Sequence, residues 1–293
     1  MIQKVKETWR DLIKKHKCLV LPGAYDALSA RLIERAGFPA YVIGGYPLVG
    51  SRYAVPDIGL LALGEISNGM RDILSATSLP VLVDADTGYG DVKNVTFTVQ
   101  TYENMGASAI FIEDQVSPKR CGHMAGKSVI PKEEMVKKLK AAAAARQTGD
   151  LFIIARTDAR QVFGLDEALR RGEAYIKAGA DGIFIEAPES VKELELIAKA
   201  FDVPQMCNML TGGRTPIVSN KELAEMGYAM IVHGIILIMR VAKAIQETLS
   251  AIQKDRLPSS DNFVSFEEYK AIMEFDRWAE LETKFSRDLR KDI

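Results

Sequence analysis

Apolar residues fall in short, nearly continuous runs along the chain: Cys18 to Leu21, Ala40 to Ile43, Val81 to Asp84, Ala109 to Ile112, Phe152 to Ala155, Gly182 to Ile185, Gln205 to Asn208 and Met230 to His233. A strand with one wet face alternates in polarity, whereas a parallel strand covered on both faces does not. Each run is followed by a turn signal and then by a longer segment of helical period. Asp26 to Gly37 carries Leu28, Leu32, Ile33 and Ala36 on one side, Lys132 to Arg146 is rich in Ala and Lys, and Leu165 to Ala178 closes on Gly179. A glycine recurs just before the strands, at Gly37, Gly106, Gly179 and Gly227, as the left-handed cap of an αβ turn requires. Eight such units predict an α/β chain of the TIM type, a (β/α)8 barrel over residues 1–254. No Gly-rich dinucleotide fingerprint follows the first run, which argues against an open doubly wound sheet.

The pattern changes beyond Lys254. Leu257 to Phe263 reads as a loop, and a charged helix is expected from about Ser265 to Arg290, with Tyr269, Ile272, Met273, Phe275, Trp278, Leu281 and Phe285 at helical spacing. Residues 255–293 therefore form a helical tail without a strand partner, which packs on its own barrel or on a neighbouring subunit.

Composition narrows the function. The 293 residues are 47% hydrophobic and 26% charged, enough to bury a sizeable core. With Lys+Arg 38 against Asp+Glu 39, no basic excess points to nucleic acid or an anionic membrane. The charged amino terminus lacks a signal-peptide pattern, and the longest apolar run, Ile231 to Met239, is far too short to span a bilayer. Three cysteines offer no disulfide framework, so a cytoplasmic protein is expected.

In such barrels the chemistry lies at the carboxyl ends of the strands. There the chain places Gly44 and Gly45, Asp84 and Asp86, Glu113 and Asp114, Arg156 and Asp158, Glu186, and Asn208. Asp84, Asp86 and Glu113 suit a hard cation, Mg2+ or alternatively Mn2+; the competing reading is a turn cluster that caps backbone groups. Arg156 either grips a substrate carboxylate or pairs structurally with Glu186 or Asp158. Val116 to Val129 is long and small-chained, as a lid over substrate would be. Within it Cys121 is flanked by Lys119, Arg120 and His123, a cationic setting that lowers a thiol pKa and poises it for proton transfer. Cys18 and Cys207 lie in apolar runs and read as small buried side chains. His123 is open to several roles, His233 either faces the mouth or is a satisfied core group, and Tyr46 and Tyr89 sit in loops at the same mouth.

These segments resemble the isocitrate lyase and phosphoenolpyruvate mutase superfamily. Lys119-Arg120-Cys121-Gly122-His123 is similar to the loop signature of its lyase branch, and Asp84-Ala85-Asp86-Thr87-Gly88-Tyr89-Gly90 to its metal-site segment. Pro56-Asp57-Ile58-Gly59, Ile112-Glu113-Asp114-Gln115, Ala155-Arg156-Thr157-Asp158-Ala159 and Asn208-Met209 match in order, so the resemblance covers roughly residues 10 to 250. It implies a Mg2+-dependent homotetramer with helices exchanged between subunits. It implies a metal site of Asp57, Asp84, Asp86 and Glu113, partly through water, and a substrate site of Gly44, Gly45, Tyr46, Gly122, Arg156, Glu186 and Asn208. Cys121 would be the general acid, assisted by Lys119 and His123.

The reaction implied is retro-aldol cleavage of a 2-hydroxy di- or tricarboxylate to a 2-oxo acid and a second carboxylate. The position at which methylisocitrate-cleaving members carry an Arg falls on Met239, and Gly44-Gly45-Tyr46 with Gly212-Gly213-Arg214-Thr215-Pro216 is more similar to members that cleave 2,3-dimethylmalate. Thr211 stands where relatives commonly have an acidic residue. Methylisocitrate cleavage, oxaloacetate hydrolysis or decarboxylation, and a non-enzymatic binding barrel are the alternatives.

Overall fold

The computed structural model describes residues 7–120, 122, 126–256 and 259–288. Eight parallel strands, β1 (Leu19–Ala24), β2 (Tyr41–Ile43), β3 (Val81–Asp84), β4 (Ala109–Glu113), β5 (Phe152–Thr157), β6 (Gly182–Ile185), β7 (Gln205–Asn208) and β8 (Met230–His233), pair in chain order. The barrel closes through β1 and β8, with Leu19 opposite Met230 and Leu21 opposite Val232. The expected strands and the TIM-type fold are present. β4 and β5 run past their apolar stretches because the ladder continues through polar residues, pairing Glu113 with Arg156.

Side chains alternate along each strand, so every strand feeds two cores. Leu21, Val42, Leu82, Phe111, Ile154, Phe184, Met206 and Val232 share one buried cluster, which also holds Trp9 and Leu12 of the helix Trp9–His16. Trp9 Nε1 donates to Met230 Sδ at 3.4 Å, setting that helix against the start of β8. Val83, Ile110, Ile112, Ile153, Ile183 and Ile231 face the other way, into the cluster shared with the outer helices. Each fully buried Val, Leu or Ile stabilises by about 1.5–3 kcal/mol. The same period of two continues the first set onto Asp84, Glu113, Arg156, Glu186 and Asn208, which thus point inward at the carboxyl ends.

The αβ turns form as their glycines predict: Gly106 and Gly227 take φ 94° and 117°, where a Cβ would be strained. The residues Arg240–Ile293 make a separate compact unit, and the division falls inside the helix Ile236–Gln253, ahead of the Lys254 boundary expected from composition. The single tail helix expected from Ser265 is instead two helices, Phe266–Ile272 and Phe275–Asp288, broken where Glu274 adopts φ 56°. Ile245, Leu249, Ile252, Phe275, Trp278 and Phe285 are exposed, an apolar surface that a lone chain leaves uncovered. No helix among the described residues is long and apolar enough to cross a membrane.

Candidate active site

The inward-pointing polar residues open into a cavity of about 460 Å³ at the carboxyl ends of the strands. Of the residues expected at the mouth or implied by the resemblance, Gly44, Gly45, Tyr46, Asp57, Asp84, Lys119, Gly122, Arg156, Glu186 and Asn208 line it, whereas Asp86 and Glu113 do not and lie behind the lining against Lys119 and Arg156. Its floor is Val42, Phe111, Phe184, Met206 and Val232, and Pro47, Leu210, Ile235 and Met239 make an apolar wall. One pole is therefore charged and the other greasy.

The charged pole is organised by its backbone. Asp84 ends β3, where Gly45 N donates to its Oδ2 at 3.1 Å and Asp86 N to its Oδ1 at 2.9 Å. A side chain at Gly45 would place its Cβ 3.3 Å from carboxylate oxygens of both Asp57 and Asp84, so the glycine lets the chain approach them closely. Asp86 turns at φ 47°, and its carbonyl accepts from Glu113 N at 2.8 Å, joining the ends of β3 and β4. Lys119 reaches in from the loop, with Nζ 2.6 Å from Asp57 Oδ2 and 2.5 Å from Asp86 Oδ1. Lys119, implied by the resemblance to assist Cys121, lines the cavity and at the same time lies against these carboxylates, whose charge outweighs the cost of burying it.

For Arg156 the structural pairing with Asp158 and Glu186 is present. The side chain lines the cavity, yet Nε and Nη2 hold Asp158 at 2.9 and 3.1 Å, Nη2 lies 3.3 Å from Glu186 Oε2, and Nε lies 3.2 Å from Glu113 Oε2. Beneath it, Asp114 accepts from Thr157 Oγ1 (2.7 Å), Asp158 N (2.9 Å), Tyr175 Oη (2.7 Å) and Arg171 Nη1 (2.9 Å). This fully buried carboxylate fixes the turn that carries Asp158.

The electrostatics bear on a metal. Burial, reinforced by Asp86, pushes the Asp84 carboxyl up to about 6, and burial pushes Glu113 well above the carboxylate range despite Arg156. For Lys119, burial works against the charge, but Asp86, Asp84, Asp57 and Glu113 together hold the ammonium well above its ordinary value. Among the described residues, Asp57, Asp84, Asp86, Glu113, Asp158 and Glu186 gather around the buried cations Lys119, Lys127 and Arg156, with Arg120 also on the cavity lining, so acidic groups outnumber basic ones there. Glu113 Oε1 is buried without a hydrogen-bond partner among the described residues. As placed, no three acidic, His or Cys side chains among those residues form a direct ligand cage. An oxygen-seeking divalent ion that keeps several of its waters fits this excess charge and this donor set without such a cage.

Several expectations move. Cys121 and His123 lie outside the described residues. Tyr89 is not a wall of the cavity; its hydroxyl pairs with Tyr102 Oη at 3.0 Å. His233 Nε2 pairs with Asn220 Oδ1 at 2.8 Å, so it is neither a mouth residue nor a buried core group. Cys207 is buried in β7, while Cys18 lies just outside β1 and is partly exposed. Sequence reasoning missed Lys127, which folds back from the loop onto Asp158, and the Arg171–Tyr175 pair; only the four-residue spacing of the latter on one helix face hinted at a shared partner.

A family model described as phosphoenolpyruvate phosphomutase matches residues 9–253. The chain is 42% identical over 279 residues to a 2,3-dimethylmalate lyase of Eubacterium barkeri, covering 94% of this chain and 96% of that one. Its fold is similar to oxaloacetate acetylhydrolase in complex with the inhibitor 3,3-difluorooxalacetate, with TM-score 0.89, 28% identity, and 94% and 95% of the two chains covered. It is also similar to phosphonopyruvate hydrolase in complex with oxalate and Mg++, with TM-score 0.84, 30% identity, and 94% and 97% covered.

Proposed function

The chain belongs to the phosphoenolpyruvate phosphomutase family and is an enzyme of the carbon–carbon lyase kind, and on that premise we propose that it cleaves a 2,3-dimethylmalate-like 2-hydroxy dicarboxylate into pyruvate and propionate. The observation that carries this reading is the cavity's division into a carboxylate-rich pole with Arg156 and an apolar wall of Pro47, Leu210, Ile235 and Met239. Such a substrate presents its two carboxylates and 2-oxygen to the charged side chains and its methyl groups on C2 and C3 to the apolar wall, while no basic residue stands at Met239 to hold a third carboxylate.

Asp57, Asp84, Asp86 and Glu113 would hold Mg2+, or Mn2+ in its place. Bound there, it supplies Lewis-acid polarisation of the substrate's 2-oxygen and adjacent carboxylate. Arg156 holds substrate carboxylate charge, Lys119 balances Asp57 and Asp86, and the close backbone at Gly44 and Gly45 and the Asn208 amide orient the substrate. Asn208 Oδ1 is buried without a hydrogen-bond partner among the described residues, an acceptor free for a ligand. The hydroxyl proton passes to a base at the mouth, for which Tyr46, Glu186 and His123 are the candidates. The C2–C3 bond then breaks, its electrons delocalise into the departing carboxylate, and the Cys121 thiol protonates that carbon. The closed loop excludes the water that would otherwise compete. The uncovered apolar faces of the carboxyl-terminal helices fit a homotetramer in which those helices pack on neighbouring subunits.

A second reading, hydrolysis of oxaloacetate, is favoured by the likeness to oxaloacetate acetylhydrolase. Incubating the Mg2+-loaded protein with 2,3-dimethylmalate, methylisocitrate and oxaloacetate separately, and following the release of pyruvate and of oxalate, separates the two. Pyruvate from dimethylmalate supports the proposal; turnover of oxaloacetate alone overturns it.

A further inference from the structure

The segment from Val116 to Val129 is tied down at three levels. At its base Gln115 and Val129 form an antiparallel bridge, Val116 N donates to Ser128 O at 2.9 Å, and Ile130 N donates to Asp114 O at 2.9 Å. Higher up, the Gln115 side chain accepts from Arg120 N and donates to Arg120 O, both at 2.9 Å. Near the tip, the Lys127 ammonium donates to the Gly122 carbonyl and to Asp158 Oδ1, the latter at 2.5 Å. The Lys127 and Asp158 side chains are completely buried.

Asp158 is a shared acceptor. Its Oδ1 takes both Lys127 Nζ and Arg156 Nη2, its Oδ2 takes Arg156 Nε, and its backbone is fixed by Asp114. Gly122, held by the same ammonium, lies against the Arg156 guanidinium, where a Cβ would sit 2.5 Å from Nη2. A lysine suits this position because its compact ammonium carries several donors on one atom and so reaches the Gly122 carbonyl and Asp158 Oδ1 together.

We propose that Lys127 is a positioning residue that couples the seating of the loop to Arg156. With the loop seated, Asp158 divides its charge between two cations, and Arg156 keeps more of its own for a substrate carboxylate. With Lys127 withdrawn, Asp158 closes on Arg156 alone and Gly122 loses its anchor. The substrate step rests on the lyase reading; the loop anchor does not.

The test compares the full-length chain with Lys127→Met, Lys127→Gln and Lys127→Arg. Cys121, which directly precedes Gly122, is alkylated with iodoacetamide at pH 8 and its modification rate is read by mass spectrometry of the loop peptide. Cys18 and Cys207 react slowly at this pH because burial raises both thiols. Losing one charge-assisted hydrogen bond corresponds to about tenfold to hundredfold faster alkylation in the Met and Gln variants, with Arg restoring part of the protection. Turnover of 2,3-dimethylmalate should fall in the same order, with KM raised as well as kcat lowered. Alkylation within twofold of the parent chain in all three variants overturns the proposal, whichever substrate the enzyme accepts. Absence of dimethylmalate turnover in the parent chain removes the lyase reading but leaves the alkylation comparison decisive. If Lys127→Met does not fold, the Gln and Arg variants decide by the same criterion.

Discussion

Gly122→Ala isolates the loop's approach to the substrate-binding pair. An added Cβ would sit 2.5 Å from Arg156 Nη2 and 2.7 Å from Glu186 Oε2, where ordinary contact begins at 3.4 Å. Neither neighbour yields easily: Arg156 is buried and clamped by Asp158, and the Glu186 Oε1 accepts from Ala187 N at 3.0 Å. The loop must therefore lift by about 0.9 Å, the shortfall of the tighter contact. A displacement of about 1 Å at a reacting site costs on the order of a hundredfold in rate. Because the loop contributes little to the barrel core, the melting temperature should stay within about 2 °C of the parent, a change of less than about 1 kcal/mol. The assay is steady-state pyruvate release from 2,3-dimethylmalate with Mg2+, alongside a thermal melt. A kcat/KM within threefold of the parent would refute the claim that this loop conformation is the one that turns over.

Asp114→Ala removes the acceptor of four buried donors and leaves the Arg171 guanidinium with Glu167 as its one carboxylate among the described residues. We expect a loss of about 3–5 kcal/mol and a melting temperature lower by roughly 6–20 °C; a loss under 1 kcal/mol in a urea melt would show the network to be dispensable. Lys119→Met takes a cation from between Asp57 and Asp86, so Mg2+ should bind the resting protein about tenfold more tightly by calorimetry; unchanged or weaker binding would remove those carboxylates from the metal site. For native Cys207 the thiol lies well above its ordinary range because burial disfavours the thiolate, so the reactive form stays scarce throughout that range and forms only at higher pH. Alkylation at pH 8 should thus leave Cys207 unmodified until the chain is unfolded in urea, and ready labelling in the native state would contradict its burial.

The barrel was legible because covered parallel strands write themselves as apolar runs, and because the αβ turns at Gly106 and Gly227 need a backbone that glycine alone adopts freely. The mouth was legible for a related reason: the two-residue period that buries Leu82, Ile154, Phe184 and Met206 also carries Asp84, Arg156, Glu186 and Asn208 into the cavity, and the step from Phe111 brings Glu113 against Arg156. Partners across large sequence separations were not. Lys127 meets Asp158 and Lys119 meets Asp57 only once the loop has folded over the mouth, and nothing periodic in a Gly-rich loop announces where its cations land. Tyr89 and His233 sat at plausible positions, but their partners, Tyr102 and Asn220, come from helices whose rotation the local pattern leaves open. The break at Glu274 has no glycine or proline to mark it, so a continuous helical stripe concealed two helices.

Nuclear magnetic resonance of the products formed in D2O tests the central claim most directly. Mg2+-loaded protein given 2,3-dimethylmalate should yield pyruvate and propionate in equal amounts, the propionate carrying one deuterium at the carbon next to its carboxylate, and Cys121→Ser should slow this by orders of magnitude. Unchanged dimethylmalate together with oxalate and acetate from oxaloacetate, or undiminished turnover by Cys121→Ser, would contradict it.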